Sequence, residues 1–351
     1  MKIEKGLFIK EIRDGGNIEG LFLVKDVRRA ETRTGSPYLM LNVMDRTGEM
    51  AGRVWNDADR WMAECRPGGV VLLKGRAQAY KGVLQLKINT LKAADNSNLD
   101  MTDFVPTAPG DIKSMAAEVI KLAKTVKNPH LQQLLLLFFK DTGFFENFKK
   151  APAAKSMHHA YMGGLIEHTL AVTKLADKVS ILYPEIDRSI LITGALLHDI
   201  GKIQEFGFDA FPFDYTVKGR LVGHLVIGVD MVQEKIRELP DFPEELGVRL
   251  KHLILSHHGR HEFGSPALPM MREAFILHFL DDLDAKINYI NRLEDQAQDS
   301  GYQWTEYQRN LERFLFINGH ASRETPPKIQ NRKSPNIKDK TTGPKQMSFL
   351  Q

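Results

Sequence analysis

The sequence predicts a multidomain α+β chain: a five-stranded N-terminal β-barrel followed by an all-α helical bundle. Three observations carry this. Residues 1–95 consist of short segments with period-two alternation, cut by turn signals. Residues 151–315 show helical periodicity throughout and no convincing strand. From Ala321 the chain carries four prolines, many Lys and Arg, and almost no apolar residue before Met347, the composition of a disordered basic tail. The expected boundaries are 1–95 for the barrel, 96–150 for a linker and connecting helices, 151–315 for the bundle and 316–351 for the tail.

The barrel strands are expected at about 18–30, 37–45, 49–56, 69–80 and 83–92. Turn signals at Asp14-Gly15-Gly16, Thr34-Gly35-Ser36-Pro37, Asp45-Arg46-Thr47-Gly48 and Pro67-Gly68-Gly69 separate them. Leu39, Leu41 and Val43 share one parity, as do Leu84, Leu86 and Ile88. A short helix near 57–65 precedes the fourth strand, and five strands with a helix there is the OB-fold pattern. Asn96 to Gly110, with Pro106 and Pro109, reads as a linker, and two helices follow near 111–127 and 129–140.

Composition bounds the function classes. The chain has 351 residues, 42% hydrophobic and 26% charged, as in an ordinary soluble globular protein. Its single cysteine, Cys65, excludes an internal disulfide and suits a reducing compartment. Met1 to Lys10 lacks the apolar stretch of a signal peptide, and the longest apolar run, Leu134 to Phe139, is too short to span a bilayer. The expectation is a cytoplasmic protein without a membrane partner. A net charge of +4 permits a polyanionic partner without demanding one.

The chemistry lies in the helical half. His168 is in line with Val172, Leu175 and Val179. His198 follows Leu191, Gly194 and Ala195, with Asp199 beside it. His224 precedes Ile227 and Met231; His257 follows Leu250, Leu253 and Ile254; Asp281 follows Ala274 and Leu277. Each polar group therefore falls on an apolar, inward helix face. One histidine on such a stripe is ordinarily a satisfied core residue. Several ionisable groups buried in one bundle would cost several kcal/mol in total without partners, and a metal supplies them. Imidazole and carboxylate together suit Mn²⁺, Fe²⁺, Co²⁺ or Zn²⁺, whereas the lack of clustered cysteines argues against structural zinc. In His198-Asp199-Ile200-Gly201-Lys202, adjacent residues point about 100° apart and can clasp a metal from two sides. Gly201 is expected to end the helix and let the chain turn closely past the site, and Lys202 to place a cation beside the metals, where phosphate would sit.

The array His168, His198-Asp199 and Asp281 resembles the signature of the HD-domain phosphohydrolases. The strings His158-His159-Ala160-Tyr161-Met162-Gly163-Gly164-Leu165-Ile166-Glu167-His168-Thr169 and Leu280-Asp281-Asp282-Leu283-Asp284-Ala285-Lys286, behind an OB-like domain, narrow the resemblance to the YhaM-type 3′→5′ exoribonucleases over about residues 1–315. The resemblance implies an HD-domain bundle, removal of nucleotides from the 3′ end of single-stranded RNA, often also of single-stranded DNA, and a divalent cofactor, usually manganese. It implies His168, His198, Asp199 and Asp281 as ligands of one metal. His224 and His257 match the extra histidines of two-metal members, in which the motif aspartate bridges. Asp282 stays open beside Asp281, and His258 beside His257. On this reading Asp199 and Lys202 are catalytic, and the metals acidify the attacking water. His158 and His159 either contact phosphate or protonate the leaving oxygen, or form a surface pair at a helix start.

Parity sorts the barrel as well. Lys74, Arg76, Gln78 and Tyr80 share a face, as do Arg53 and Trp55, and Gln85, Lys87 and Asn89. A barrel fills its interior with apolar side chains, so these face outward. Cations among aromatic rings suit single-stranded nucleic acid, since each stacked base contributes about 1–3 kcal/mol; beside a phosphodiesterase site this reading outweighs that of a merely solvated face. Tyr38, Arg28, Arg29 and Arg33 extend the surface. Arg323 to Lys345 carries seven Lys or Arg against two acids, and Gln346-Met347-Ser348-Phe349-Leu350 loosely resembles peptides that dock into bacterial sliding clamps. Homo-oligomerisation stays open. Two other functions share the pattern: an HD hydrolase of small nucleotides or cyclic dinucleotides, and a non-catalytic nucleic-acid binder. The β-domain disfavours the first and the intact ligand set the second.

Overall fold

The computed structural model describes residues 4–32, 34–80, 82–95, 99–155, 159–208, 212–297 and 301–319. Strands β1 (Asn17–Glu31), β2 (Pro37–Asp45), β3 (Gly48–Val54), β4 (Val70–Tyr80) and β5 (Val83–Ala93) form a closed barrel in the order β1-β2-β3-β5-β4. Helix α1 (Ala58–Glu64) precedes β4, as the OB pattern requires. The long β1 pairs with β2 and β4, with a register shift between Val24 and Asp26, and the parallel β3–β5 pairing completes the ring. Leu39, Leu41, Val43, Leu73, Leu86 and Ile88 fill the interior with Trp61 and Cys65 from α1 and its end, the parity expected of a half-buried sheet. Gln85, expected outside, lies opposite Gln78 and is buried.

Burial pushes the Cys65 thiol up to about 11, so at pH 8 it is neutral and unreactive. The native protein is expected to resist alkylation by iodoacetamide and to react at once in denaturant; equal rates in both would contradict this packing.

The segment after β5 is less of a linker than its prolines suggest. Leu99, Phe104 and Val105 pack with Leu21, Leu23, Met44 and Val70 on the outside of the barrel, and the Met162 main chain donates to Pro106 O and accepts from Ala108 N–H. Helices α2 (Ile112–Lys124), α3 (Pro129–Lys140) and α4 (Thr142–Lys150) follow. Their starts are written locally: Asp111, Asn128 and Asp141 cap them through side-chain oxygens, and Pro129 sits at the first helical position of α3, where a missing N–H costs nothing.

The bundle comprises α5 (Gly164–Leu182), α6 (Arg188–Leu197), the short α7 (Lys202–Glu205), α8 (Val217–Val222), α9 (His224–Arg237), α10 (Glu244–Ser256) and α11 (Arg272–Gln296). Leu165, Ile166, Val172, Leu191, Ala195, Leu250, Leu253, Ile254 and Leu277 share one core with α2 and α3. Gly194 lets α6 meet α10: a Cβ there would lie 2.7 Å from a Leu253 methyl.

The helical reading of 151–315 needs correction. Strands β6 (Phe206–Gly207) and β7 (Asp214–Tyr215) form a small hairpin inside the bundle. The chain divides into two compact units, Met1–Ile290 and Asn291–Gln351. In the second, β8 (Gly301–Trp304) pairs with β9 (Phe316–Gly319), so the expected tail begins with a strand. Two- to four-residue strands whose partners come several residues later are too short for alternation to register. Residues 320–351, with the clamp-like peptide, lie outside the described residues. Among those described, no helix is long and apolar enough to cross a membrane.

Candidate metal centre

Separate elements bring the predicted polar groups together. His168 comes from α5, His198 and Asp199 from the turn between α6 and α7, His224 from the first residue of α9, His257 and His258 from the end of α10, and Asp281 from α11. Asp199, 2% exposed, lies at the centre with its two oxygens facing different ways. Oδ2 is 3.4 Å from His198 Nε2 and 3.6 Å from His168 Nε2, and His168 Nε2 is 3.0 Å from Asp281 Oδ1. Oδ1 is 3.5 Å from His224 Nε2 and 3.6 Å from His257 Nε2. His224, His257 and His258 form a nitrogen cluster on that side, with ligand atoms within 4.8 Å of one another.

The imidazoles are already oriented. Carbonyl and carboxylate oxygens only accept, so each Nδ1 facing one carries the proton. His198 donates from Nδ1 to Ala195 O, His257 to Ile254 O and His258 to Phe263 O; His168 donates to Asp284 Oδ2 and His224 to Glu205 Oε1. Each Nε2 is thereby presented as a possible ligand.

Two observations test whether a cation fits. Asp199 Oδ1 and His224 Nε2 are buried with no hydrogen-bond partner, a desolvation cost of about 1–3 kcal/mol each that a cation between them would remove. His168 and His198 also bring Nε2 atoms to 3.2 Å of each other; two lone pairs repel at that distance unless a cation or proton lies between. Burial favours a neutral Asp199, but Lys202 and His198 outweigh it and hold the carboxyl well below the usual range. Burial likewise opposes charge on His168, yet Asp281 and Asp284 lift it to about 10, so a metal at Nε2 competes with a proton. Burial, then the neighbouring His257, drops His258 to about 3, which leaves it neutral. The donor set suits a divalent cation.

The barrel presents a second surface. Cross-strand pairing aligns Arg28, Met40, Arg53, Lys87 and Arg76 in one row across β1, β2, β3, β5 and β4. Like charges placed opposite one another destabilise a sheet, a cost that an anion lying along the row would relieve. Tyr38 stacks on Trp55 at 4.8 Å, and the Arg53 guanidinium lies 5.8 Å from the Trp55 ring and 5.9 Å from that of Tyr80. Trp55 is 39% and Tyr80 53% exposed. Lys74 is paired with Glu19 at 2.6 Å and Arg29 with Asp59 and Glu31, so both offer less than the sequence suggested. Arg76 donates to Gly15 O, which fixes its stem. Arg33 lies outside the described residues.

The HD domain family model matches residues 165–286, and a model described as an OB-fold nucleic acid binding domain matches residues 23–94. A curated "3'-5' exoribonuclease YhaM" from Bacillus licheniformis is 35% identical over 299 residues, covering 85% of this chain and 93% of the relative. The Bacillus subtilis protein of that name is 33% identical with the same coverage, and that of Halalkalibacterium halodurans is 35% identical over 81% of this chain and 88% of its own. The chain belongs to the YhaM 3′-5′ exoribonuclease family.

Within this YhaM-family chain several residues sit differently from the sequence expectation. His159 is buried, with Nε2 on Asp284 Oδ2 at 3.0 Å and Nδ1 beside Tyr161 and Glu167. It stands behind His168, its nitrogens already engaged, instead of facing substrate. Its neighbour His158 lies outside the described residues. The Lys202 ammonium is buried on Asp199 Oδ2 at 2.6 Å and neutralises the central carboxylate. Gly201 has ordinary helical angles, φ −60 and ψ −23, so it is not a left-handed helix stop. Its role is close approach: a Cβ there would lie 2.0 Å from the His224 carbonyl oxygen. Of the two adjacent aspartates, Asp281 faces the histidines and Asp282 pairs with Lys286 on the outside.

Sequence reasoning assigned nothing to Asp284 or Glu205. Asp284 was findable, because it follows Asp281 by three residues and so shares its helix face. Glu205, well before His224 in the chain, carries no such signal.

Proposed function

We propose that this chain removes nucleotides from the 3′ end of single-stranded RNA, and of single-stranded DNA by the same phosphodiester chemistry, at a two-cation centre. The observation that carries the reading is the buried, unpartnered Asp199 Oδ1, with imidazole nitrogens converging on both sides of one carboxylate. His168, His198, Asp199 and Asp281 would hold one cation, and Asp199, His224, His257 and His258 the other, with manganese as the expected metal and Fe²⁺, Co²⁺ or Zn²⁺ as alternatives. Bound divalent cations supply Lewis acidity that makes water nucleophilic near neutral pH. Asp199, kept ionised by Lys202, spans the two sets of nitrogens. Lys202 spends one of its three N–H donors on Asp199, so its charge is committed first to that carboxylate.

The barrel row of Arg53, Lys87 and Arg76 would follow the phosphates, with Trp55 and Tyr80 taking base faces. The double variant Trp55→Ala/Arg76→Ala is expected to raise KM for long oligonucleotides at least about tenfold, the order of one lost stacking contact, and to leave hydrolysis of a small phosphodiester such as bis-p-nitrophenyl phosphate unchanged. Equal loss on both substrates would remove the barrel from substrate capture.

The decisive test of the function is a time course with Mn²⁺ and RNA or DNA oligomers labelled at either end. A 5′ label should appear in a descending ladder and a 3′ label in mononucleotide from the first time point. Release of the 5′ label as mononucleotide from the first time point, internal cuts alone, or no cleavage by metal-replete protein would each overturn the proposal.

A further inference from the structure

The acceptors behind the imidazoles are of two kinds. His198 and His257 are backed by the carbonyls of Ala195 and Ile254, three residues earlier in their own helices, and His258 by that of Phe263. Backing of this kind requires no dedicated side chain. His168 and His224 are backed instead by carboxylates, Asp284 Oδ2 at 2.7 Å and Glu205 Oε1 at 2.9 Å. One of the two faces Asp199 Oδ2 and the other faces Oδ1, so each side of the central aspartate has one carboxylate-backed histidine.

Both acids are held with care. The Asp284 side chain is 15% exposed and that of Glu205 8%, and a carboxylate so placed is costly unless its oxygens are used. Glu205 Oε1 also accepts the His224 main-chain N–H at 3.0 Å. Asp284 Oδ2 also accepts from His159 Nε2, whose main-chain N–H donates to Asn288 Oδ1 at 2.9 Å. His159 adopts φ +47, a left-handed conformation that a side chain takes only when its surroundings require it.

A carboxylate behind an imidazole fixes the ring and makes its other nitrogen a stronger ligand than a neutral carbonyl does. We propose that Asp284 and Glu205 are positioning residues that set the two cation affinities separately, Asp284 for the His168 side and Glu205 for the His224 side, with His159 holding Asp284 in place. The inference rests on the two-cation reading above.

The test is a calorimetric titration of chelator-stripped full-length protein with Co²⁺, followed also by the cobalt absorbance bands. His168→Ala and His224→Ala identify which binding step belongs to which side. Asp284→Asn is expected to weaken the His168-side step by about 10–100-fold and leave the other unchanged. Glu205→Gln should do the reverse, and His159→Gln should follow Asp284→Asn in direction. If Asp284→Asn does not fold by circular dichroism, the Glu205→Gln titration decides the matter alone. Folded variants that weaken both steps equally, the same step, or neither would overturn the inference. A wild type that binds a single cation would overturn the two-cation reading and the inference with it.

Discussion

Asp199→Asn is expected to reduce exonuclease activity by at least about 10²-fold, the order of loss when an electrostatic group at a reacting centre is removed. It should also lower the number of cations retained per chain. Among the described residues, Asp199 is the one carboxylate within 4 Å of imidazole nitrogens on both sides, His168 and His198 through Oδ2 and His224 and His257 through Oδ1. The amide keeps the shape and removes the charge. Asparagine is preferable to alanine because its amide oxygen can still accept from the Lys202 ammonium, buried against Asp199, whereas truncation removes the acceptor together with the charge, a loss of about 3–5 kcal/mol that would confuse unfolding with inactivity. Metal analysis and circular dichroism on the same preparation separate the two. Full activity in the folded Asp199→Asn protein, or in wild type treated with chelator, would remove the metal centre from the reaction.

Gly201→Ala should be damaging although it adds a single methyl group. Two effects oppose each other. Gly201 has helical angles, where alanine is favoured over glycine by about 1 kcal/mol. The new Cβ would meet the His224 carbonyl oxygen at 2.0 Å and the Gly228 nitrogen at 2.8 Å, both main-chain atoms that no rotamer change can move. Overpacking of this kind costs about 1–3 kcal/mol or more, so the clash wins. Relief requires the start of α9 to move, and His224 moves with it. The expected outcome is a lower melting temperature together with weaker cation binding, read by thermal unfolding with and without Mn²⁺. A melting temperature at or above wild type would show that the helices separate freely there, and the close approach would then have no role in holding His224.

The sequence alone determined the barrel, the polar residues on the inward helix faces and the family. It could do so because those properties are periodic or local. Alternation along Leu39, Leu41 and Val43 needs only the pleat of a strand, and His198-Asp199 is a contiguous motif. Tertiary structure decided what periodicity cannot resolve. Asp281 and Asp282 differ by about 100° around one helix, and only the packing of α11 turns Asp281 towards His168 and Asp282 towards Lys286. His159 could face substrate or lie on the surface at a helix start; the position of Asp284 instead fixes it, buried, behind the centre. Glu205 reaches His224 because α7 packs against α9, and the close passage expected at Gly201 is against the His224 carbonyl. Contacts between distant segments depend on how helices dock, and docking leaves no periodic mark in the chain.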